Sequence, residues 1–411
     1  MIPNGWSIRQ LGDLTENHDA SRIPVKEADR RLGPYPYYGA SGIVDHVDGY
    51  LFDGEYLLIA EDGENLRTRQ TPIAFVARGK FWVNNHAHIV RGNALANTRF
   101  LMYALTATEV SGYLTGSTMP KLTQGNMNRI PILTPPVDEQ QAMVAMLGAL
   151  DDKIELNRRM NETLEAIART IFKSWFVDFD PVRAKAEGCE PVGVSAGLAA
   201  LFPNCLHDGI PTGWSAGTFG HVACNKRVQV KPGGVANDTP YIGLEHMPRK
   251  SIALTEWGRA DEVASNKFVF AINDILFGKL RPYFHKVGVA AVDGVCSTDI
   301  LVLTPKDPQR FGFVLGHASS DEMIAYSDAG STGTKMPRTS WADLSRYDIV
   351  IPQTTVARKF NELVVPVVDR IRSNIHESRT LAAVRDTLLP KLLSGEIRVK
   401  QAEKVVEAAS M

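Results

Sequence analysis

The side chains most able to do chemistry are a histidine pair, a few carboxylates and several short basic loops. His86-x-His88 could supply two metal ligands, but no third ligand lies at a suggestive spacing. A histidine pair packed in the fold, or facing DNA, is the stronger reading. Asp138, Asp151 and Lys153 could be forced into a nuclease-like site. Asp151 to Lys153, however, fall on the outer face of a helical heptad, between Leu150 and Ile154. Gly333-Thr334-Lys335 has only the last part of a phosphate-binding loop, without its leading glycine spacing, so an ATPase is not expected. Thr134-Pro135-Pro136-Val137 lacks the amide and the stacking aromatic that a base-flipping methyltransferase needs. The four cysteines, Cys189, Cys205, Cys224 and Cys296, are scattered with no C-x-x-C pair. Neither a zinc site nor a disulfide framework is expected, and a reducing cytoplasm fits.

A second kind of chemistry is contact with nucleic acid, which uses Lys and Arg on phosphates and Arg, Lys, Asn and Gln on base edges. Ser117 and Thr118 with Lys121, and Ser331 and Thr332 with Lys335 and Arg338, fit loops that clamp a backbone. Arg67 and Arg69, and likewise Lys279 and Arg281, fit base or phosphate contact. Tyr37, Tyr38 and Tyr283 could pack against sugar or base. For each of these a second reading stands beside the first: a solvated charge or a local hydrogen bond. Trp6 and Trp214 look structural, each near the start of a segment whose core it would cap.

Bulk charge gives no help to the nucleic-acid reading. Lys and Arg total 45 against 46 Asp and Glu. Residues 1–137 carry 13 basic and 13 acidic groups, and residues 210–354 carry 15 and 14. A lone DNA-binding domain is usually plainly basic, so any DNA-facing surface must be a local patch or share the work with partners. Apolar residues make up 44% and charged residues 22%, a globular composition. No apolar run approaches the roughly 18 residues of a membrane helix. Neither a signal peptide nor a membrane partner is expected.

The elements that must position these groups come in duplicate. Ile2-Pro3-Asn4-Gly5-Trp6-Ser7 recurs as Ile210-Pro211-Thr212-Gly213-Trp214-Ser215. Pro36-Tyr37-Tyr38-Gly39 recurs as Pro240-Tyr241-Ile242-Gly243, and Met119-Pro120-Lys121 as Met336-Pro337-Arg338. From that point the offset of 217 holds without a gap: Arg129 matches Arg346, Asn157 matches Asn374, Leu164 matches Leu381. A drifting offset means loops of different length, and a constant one means an element that tolerates no insertion. Each copy is therefore a variable globular part followed by a rigid one. The globular parts read as strand-rich, with runs such as Tyr56–Ile59, Ile73–Val76 and Ile300–Leu303, and short helices near Arg99–Thr106 and Phe311–His317.

The rigid parts read as long helices with coiled-coil seams. In the first, Leu147, Ile154, Asn161, Ala168 and Trp175 share one heptad position, and Leu150, Asn157, Leu164 and Ile171 the other. The second repeats this as Val364, Ile371, Ser378, Arg385 and Leu392, with Val367, Asn374, Leu381 and Leu388. The first is expected to start with Asp138 as N-cap. Pro366 would kink the second or mark its start. Asn157 and Asn374 occupy one seam position and are either a buried pair that fixes register or exposed helix polars. The division expected is 1–137, helix 138–178, connector 179–209, 210–354, then helix and tail 355–411. The fold class is α+β: two mixed α/β domains joined by two long antiparallel coiled-coil helices, with a pseudo-two-fold internal repeat.

These residues together resemble the specificity subunits of type I restriction-modification systems. The resemblance is carried by both I-P-x-G-W starts, by Tyr38-Gly39-Ala40-Ser41-Gly42, by Val83–His88 and by Gly116–Leu122. Asp274–Pro282, Ser174–Pro181 and Leu388–Ile397 belong to the same pattern. One departure is that Gly330–Pro337 runs three residues longer before its Met-Pro than the first copy. The resemblance implies two target recognition domains, each reading half of a bipartite site on double-stranded DNA, with an antiparallel coiled coil separating them. It implies two methyltransferase (M) subunits and motor-nuclease (R) subunits as partners. S-adenosylmethionine, ATP and Mg would serve those partners, and this chain would bind no cofactor or metal and have no catalytic residue. The recognition half of a split or fused methyltransferase or nuclease, and a two-domain scaffold that reads no DNA, remain as alternatives.

Overall fold

The computed structural model describes residues 2–262, 265–331 and 336–409. The chain divides into two compact units: Met1–Lys153 with Thr380–Met411, and Ile154–Arg379. Each takes one stretch of each of two long helices, Val137–Phe176 and Thr354–Leu393.

Unit 1 is built on a six-stranded sheet among its described residues. The strands lie in the order Thr15–Asn17, Ala87–Gly92, Phe52–Ala60, Ala74–Val83, Leu32–Gly39, Gly42–Val47. Neighbours are antiparallel except Leu32–Gly39 beside Ala74–Val83. Side chains alternate between faces along a strand, and the core divides accordingly. Leu57 and Ile59 join Phe100 and Leu101 of the helix Thr98–Ala107, while Leu58 joins Phe52, Phe81 and Ile89 on the other face. That helix starts where Asn97 accepts hydrogen bonds from the Arg99 and Phe100 N–H groups.

Unit 2 repeats the plan with its strands split into two sheets. Ala223–Lys226, Ile300–Pro305, Ile275–Gly278 and Val287–Val289 form one. Ile275 and Phe277 face Phe313 and Phe360, and Leu276 faces Leu254 and Val302. Each copy opens on the same antiparallel pair. Ser7–Gln10 meets Pro131–Thr134, and Ser215–Thr218 meets Asp348–Ile351, at offsets of 208 and 217. Trp6 and Trp214 are both buried. The connector forms helices Asp180–Ala186 and Ala196–Ala199, with Phe179, Val182 and Phe202 buried beside Trp175 and Trp214.

Two expectations about the helices need correction. Asp138 lies inside the first turn, not at the N-cap, because the helix starts one residue earlier; its N-terminal charge still favours the helix dipole there. The second helix runs through Pro366 without a break. The end of the first helix in unit 1 is held by Gln140, fully buried, whose amide meets Leu95, Pro135 and the Asn97 N–H. After the second helix a further one, Val399–Ala409, buries Val399 and Ala402 in the core of unit 1.

The helices pair antiparallel in both units. In unit 1, Arg385 Nη1 lies 2.7 Å from Asp151 Oδ1, and the Tyr103 hydroxyl donates to Asp151 Oδ2. Asp151 therefore faces the partner helix rather than solvent. In unit 2 the seam holds a polar layer. Asn374 Nδ2 donates to Asn161 Oδ1 at 2.8 Å, and Asn157 Nδ2 donates to Ser378 Oγ at 3.2 Å and Glu377 Oε2 at 2.9 Å. Under the 217 offset these are the same contact made twice. Both Asn157 and Asn374 are fully buried, and the side-chain oxygen of each has no partner. Asn161→Leu should cost about 1–3 kcal/mol, because it strands the buried Asn374 amide. Asn161→Leu with Asn374→Leu should recover most of that loss. Urea denaturation of the wild type, Asn161→Leu, Asn374→Leu and the double variant checks this; a double variant as unstable as the sum of its singles would contradict it.

Candidate nucleic-acid interface

In unit 1 the strand Phe52–Ala60 runs out into Glu61-Asp62-Gly63, between the turn Asn84–His86 and the loop Thr115–Lys121. Three backbone bonds tie these together. Glu61 N–H donates to His86 O at 2.9 Å, Leu122 N–H to Glu61 O at 2.8 Å, and Gly63 N–H to Pro120 O at 3.1 Å. Side chains close the arrangement with charge. Glu61 takes Arg22 at 2.8 Å and Lys121 at 3.2 Å, and His86 sits 2.8 Å from Asp62. Burial raises the Glu61 carboxyl, but Arg22, Lys121 and the His88 charge outweigh it and hold it below its ordinary value.

Beneath lies His88, buried, with Nδ1 2.6 Å from Asp19 Oδ2 and Nε2 2.8 Å from Leu122 O. Both neighbours are acceptors, so the ring donates twice and carries a proton on each nitrogen. Neither nitrogen is left for a metal. Burial pulls the imidazole down, but Asp19, the Leu122 carbonyl and Glu61 outweigh it, and its pKa lies above the ordinary 6.5. Among the described residues no group of three or more His, Cys, Asp or Glu could hold a metal ion.

The candidate residues of unit 1 separate by what they touch. Tyr37 is buried, and its hydroxyl meets the Val25 backbone, accepting at 3.1 Å and donating at 3.3 Å; it supports the fold from inside. Tyr38 packs on Phe75 and Phe81. Arg69 spends its guanidinium on the end of the helix Thr98–Ala107, reaching Thr108 O at 2.6 Å and Leu105 O at 2.8 Å. Those carbonyls are the ones a helix C-terminus leaves without partners. Arg67 holds the loop from outside, with Nη2 3.0 Å from Gly116 O. Gly116 has φ of +86°, and a Cβ there would stand 2.2 Å from Met119 O, so the loop needs glycine. Ser117, Thr118 and Lys121 are exposed on this one loop.

In unit 2 the structure brings Lys279, Arg281, Tyr283 and Arg338 together. Lys279 N–H donates to Asp299 O at 2.8 Å, Thr339 N–H to Lys279 O at 3.1 Å, and Arg281 N–H to Pro337 O at 2.8 Å. Arg338 lies 3.4 Å from Asp299, the single carboxylate that the described ion pairs place on this group. Burial lowers the Lys279 pKa, and Arg338 and Arg227 add to the shift against Asp299. Arg281 has φ of +50°, a conformation L side chains rarely adopt, and its Nε is buried without a hydrogen-bond partner. Tyr283 stands half-exposed beside Phe284, whose ring Arg249 covers at 4.0 Å. Ser331 donates to Asp328 O at 2.7 Å. Thr332 and Lys335 lie outside the described residues.

The unit 1 site is thus neutralised from within, and the unit 2 site keeps an excess of positive charge beside exposed aromatic surface. Sequence reasoning missed Glu61, Asp62, Arg22 and Asp19 in the first and Arg227, Arg249 and Asp299 in the second. The signal available was the alignment of Leu58-Ile59-Ala60-Glu61 with Leu276-Phe277-Gly278-Lys279, apolar runs that share few identities.

Comparison with known proteins follows the same lines. A family model described as Type I restriction modification DNA specificity domain matches residues 3–166. The type I restriction enzyme MjaIX specificity subunit of Methanocaldococcus jannaschii is 25% identical over 437 residues, covering 97% of this chain and 95% of that one. The HindI specificity subunit of Haemophilus influenzae is 27% identical over 403 residues, 84% of each chain. In fold, the chain is similar to the crystal structure of a type I restriction-modification system S subunit from M. genitalium. The TM-score is 0.59 at 16% identity, over 95% of this chain and 97% of that one.

The His88 geometry predicts a pH dependence. Because its folded pKa is raised, its stabilisation is complete below about pH 6.5 and is lost as pH rises through the folded value. The melting temperature of the chain should therefore decline as pH rises above about 6.5, the ordinary histidine value. In His88→Leu with Asp19→Asn that part of the decline should vanish; unit 2 has Leu301 at the matching strand position. Parallel melting curves for the two proteins would contradict this account of His88.

Proposed function

We propose that this chain, similar along most of its length to type I restriction-enzyme specificity subunits, is the non-catalytic DNA-reading subunit of a restriction-modification complex. Each unit reads one half of a bipartite site on duplex DNA. The two long helices set the gap between the halves and dock two methyltransferase subunits, with motor-nuclease subunits joining them. S-adenosylmethionine, ATP and Mg²⁺ serve those partners, in the cytoplasm.

The observation that carries this reading is duplication with altered charge. The same strand-end frame occurs in both units, with exposed Ser117, Thr118 and Lys121 on one and half-buried Lys279 and Arg281 beside exposed Arg338 on the other. A two-part asymmetric target asks for the same scaffold twice with different side chains. The groups that might have done chemistry are engaged elsewhere. Asp151 is held by Tyr103 and Arg385, and both nitrogens of His88 are hydrogen-bonded. Near-neutral charge in each half fits a reader whose partners share the phosphate contacts.

Two measurements test the proposal. The chain alone, incubated with labelled S-adenosylmethionine and DNA, should incorporate no label above a no-protein control, and should support incorporation once its methyltransferase subunits are added. Replacing residues 1–137 by another recognition domain should change one methylated half-site and leave the other intact. Label incorporated by the chain alone, or both half-sites changing together, would overturn it.

A further inference from the structure

Set side by side, the two strand-end frames match bond for bond. Ala60 pairs with Ala87 as Gly278 pairs with Ile300. Glu61 N–H to His86 O corresponds to Lys279 N–H to Asp299 O, and Gly63 N–H to Pro120 O corresponds to Arg281 N–H to Pro337 O. Asp62 bridges Lys121 as Leu280 bridges Arg338. The turns agree as well. Asn84 N–H donates to Tyr38 O and Ser297 N–H to Ile242 O, both at 2.9 Å. Within each turn the first side chain accepts from the backbone two residues on: Asn84 from His86 at 2.8 Å, and Ser297 from Asp299 at 3.2 Å. Both middle residues, Asn85 and Thr298, are exposed.

On this constant frame the side chains change sign. Glu61 stands where unit 2 has Lys279, and His86 where it has Asp299. The basic residue of the loop changes partner to suit: Lys121 pairs with the strand end at Glu61, and Arg338 with the turn at Asp299. Gly63 and Arg281 share a left-handed backbone position, at φ of +115° and +50°. Glycine takes that conformation freely and arginine does not. Arg281 thus carries backbone strain and a buried, unpaired Nε, and among the described polar and ring contacts its guanidinium has only the Phe284 ring, at 5.8 Å.

We infer that this frame is the base-reading element of each unit, and that Asn85 in unit 1 and Arg281 in unit 2 decide one base each in their half-sites. The inference rests on the DNA-reading proposal above and goes beyond it in naming the element and the base chemistry. An exposed asparagine amide donates and accepts together, which matches the N7 and N6 edge of adenine in the major groove; an arginine fork matches the O6 and N7 acceptors of guanine. The surrounding main-chain bonds fix the backbone from which both side chains project, as base reading requires.

The test is the methylated-site motif of the assembled complex in host cells, read genome-wide for the wild type, Asn85→Ala and Arg281→Gly. Asn85→Ala should relax one adenine position in the half-site read by unit 1. Arg281→Gly, which places in unit 2 the residue unit 1 already uses at that turn, should relax one guanine position in the other half-site. If a variant ceases to methylate, the purified complex decides. Its preference for the wild-type site over scrambled duplex should fall about five- to hundredfold; a preference that is kept overturns the inference. So does a wild-type motif from either active variant, or both variants altering one half-site. A wild-type complex without a bipartite motif would instead defeat the DNA-reading proposal, and the inference with it.

Discussion

Four polar side chains in an apolar seam constrain this molecule more than any hydrophobic contact does. The amide N–H groups of Asn157 and Asn374 find their partners where residue 157 meets 378 and residue 161 meets 374. Sliding either helix by a heptad would set Asn157 against Ile371 or Asn161 against Leu381, at a cost of about 1–3 kcal/mol for each unpaired group. Hydrophobic residues at those positions would hold the helices as tightly but in more than one register. The layer therefore trades stability for a single alignment of the two helices. Its two contacts are one contact repeated under the internal offset, so the duplication of the sequence becomes a symmetry of the seam.

The globular parts show the opposite economy. Their backbone frames coincide at the strand end, the turn and the Met-Pro loop, while the side chains on those frames differ in charge. A scaffold of main-chain hydrogen bonds tolerates this because N–H and C=O groups belong to every residue, whatever its side chain. The core does impose limits. His88 and Leu301 occupy one strand position, and the histidine is accepted only because Asp19 and the Leu122 carbonyl take both its protons. Unit 1 balances its local charges internally, whereas in unit 2 the described ion pairs join Asp299 to Arg338 and give Lys279 and Arg281 no carboxylate.

Much of this was legible in the residues. The α+β class, the repeat and the long helices followed from offsets and heptads, because helix periodicity and insertion-free spacing survive in any sequence that keeps them. The strand Phe52–Ala60 and the helix Phe311–Ala318 were visible as apolar runs. Individual site residues were less so. Tyr37 and Arg69 have the composition of a ligand-facing surface, yet one is buried against Val25 and the other caps a helix distant in sequence. Sequence spacing carries no record of such long-range partners. The matched frames were hidden for a related reason: they are defined by main-chain bonds, and the residues on them, Glu61 against Lys279 and Gly63 against Arg281, share nothing but position.

The most direct measurement lengthens both helices together. Seven residues inserted between Asn157 and Asn161, and seven between Asn374 and Ser378, keep the heptad and both polar contacts while adding about 10.5 Å at ~1.5 Å per residue. One base pair spans roughly 3.4 Å of duplex. Methylated-site sequencing of the assembled complex should return both half-sites unchanged and a gap longer by one to about three base pairs. An active complex that methylates the original site at its original gap would contradict the account.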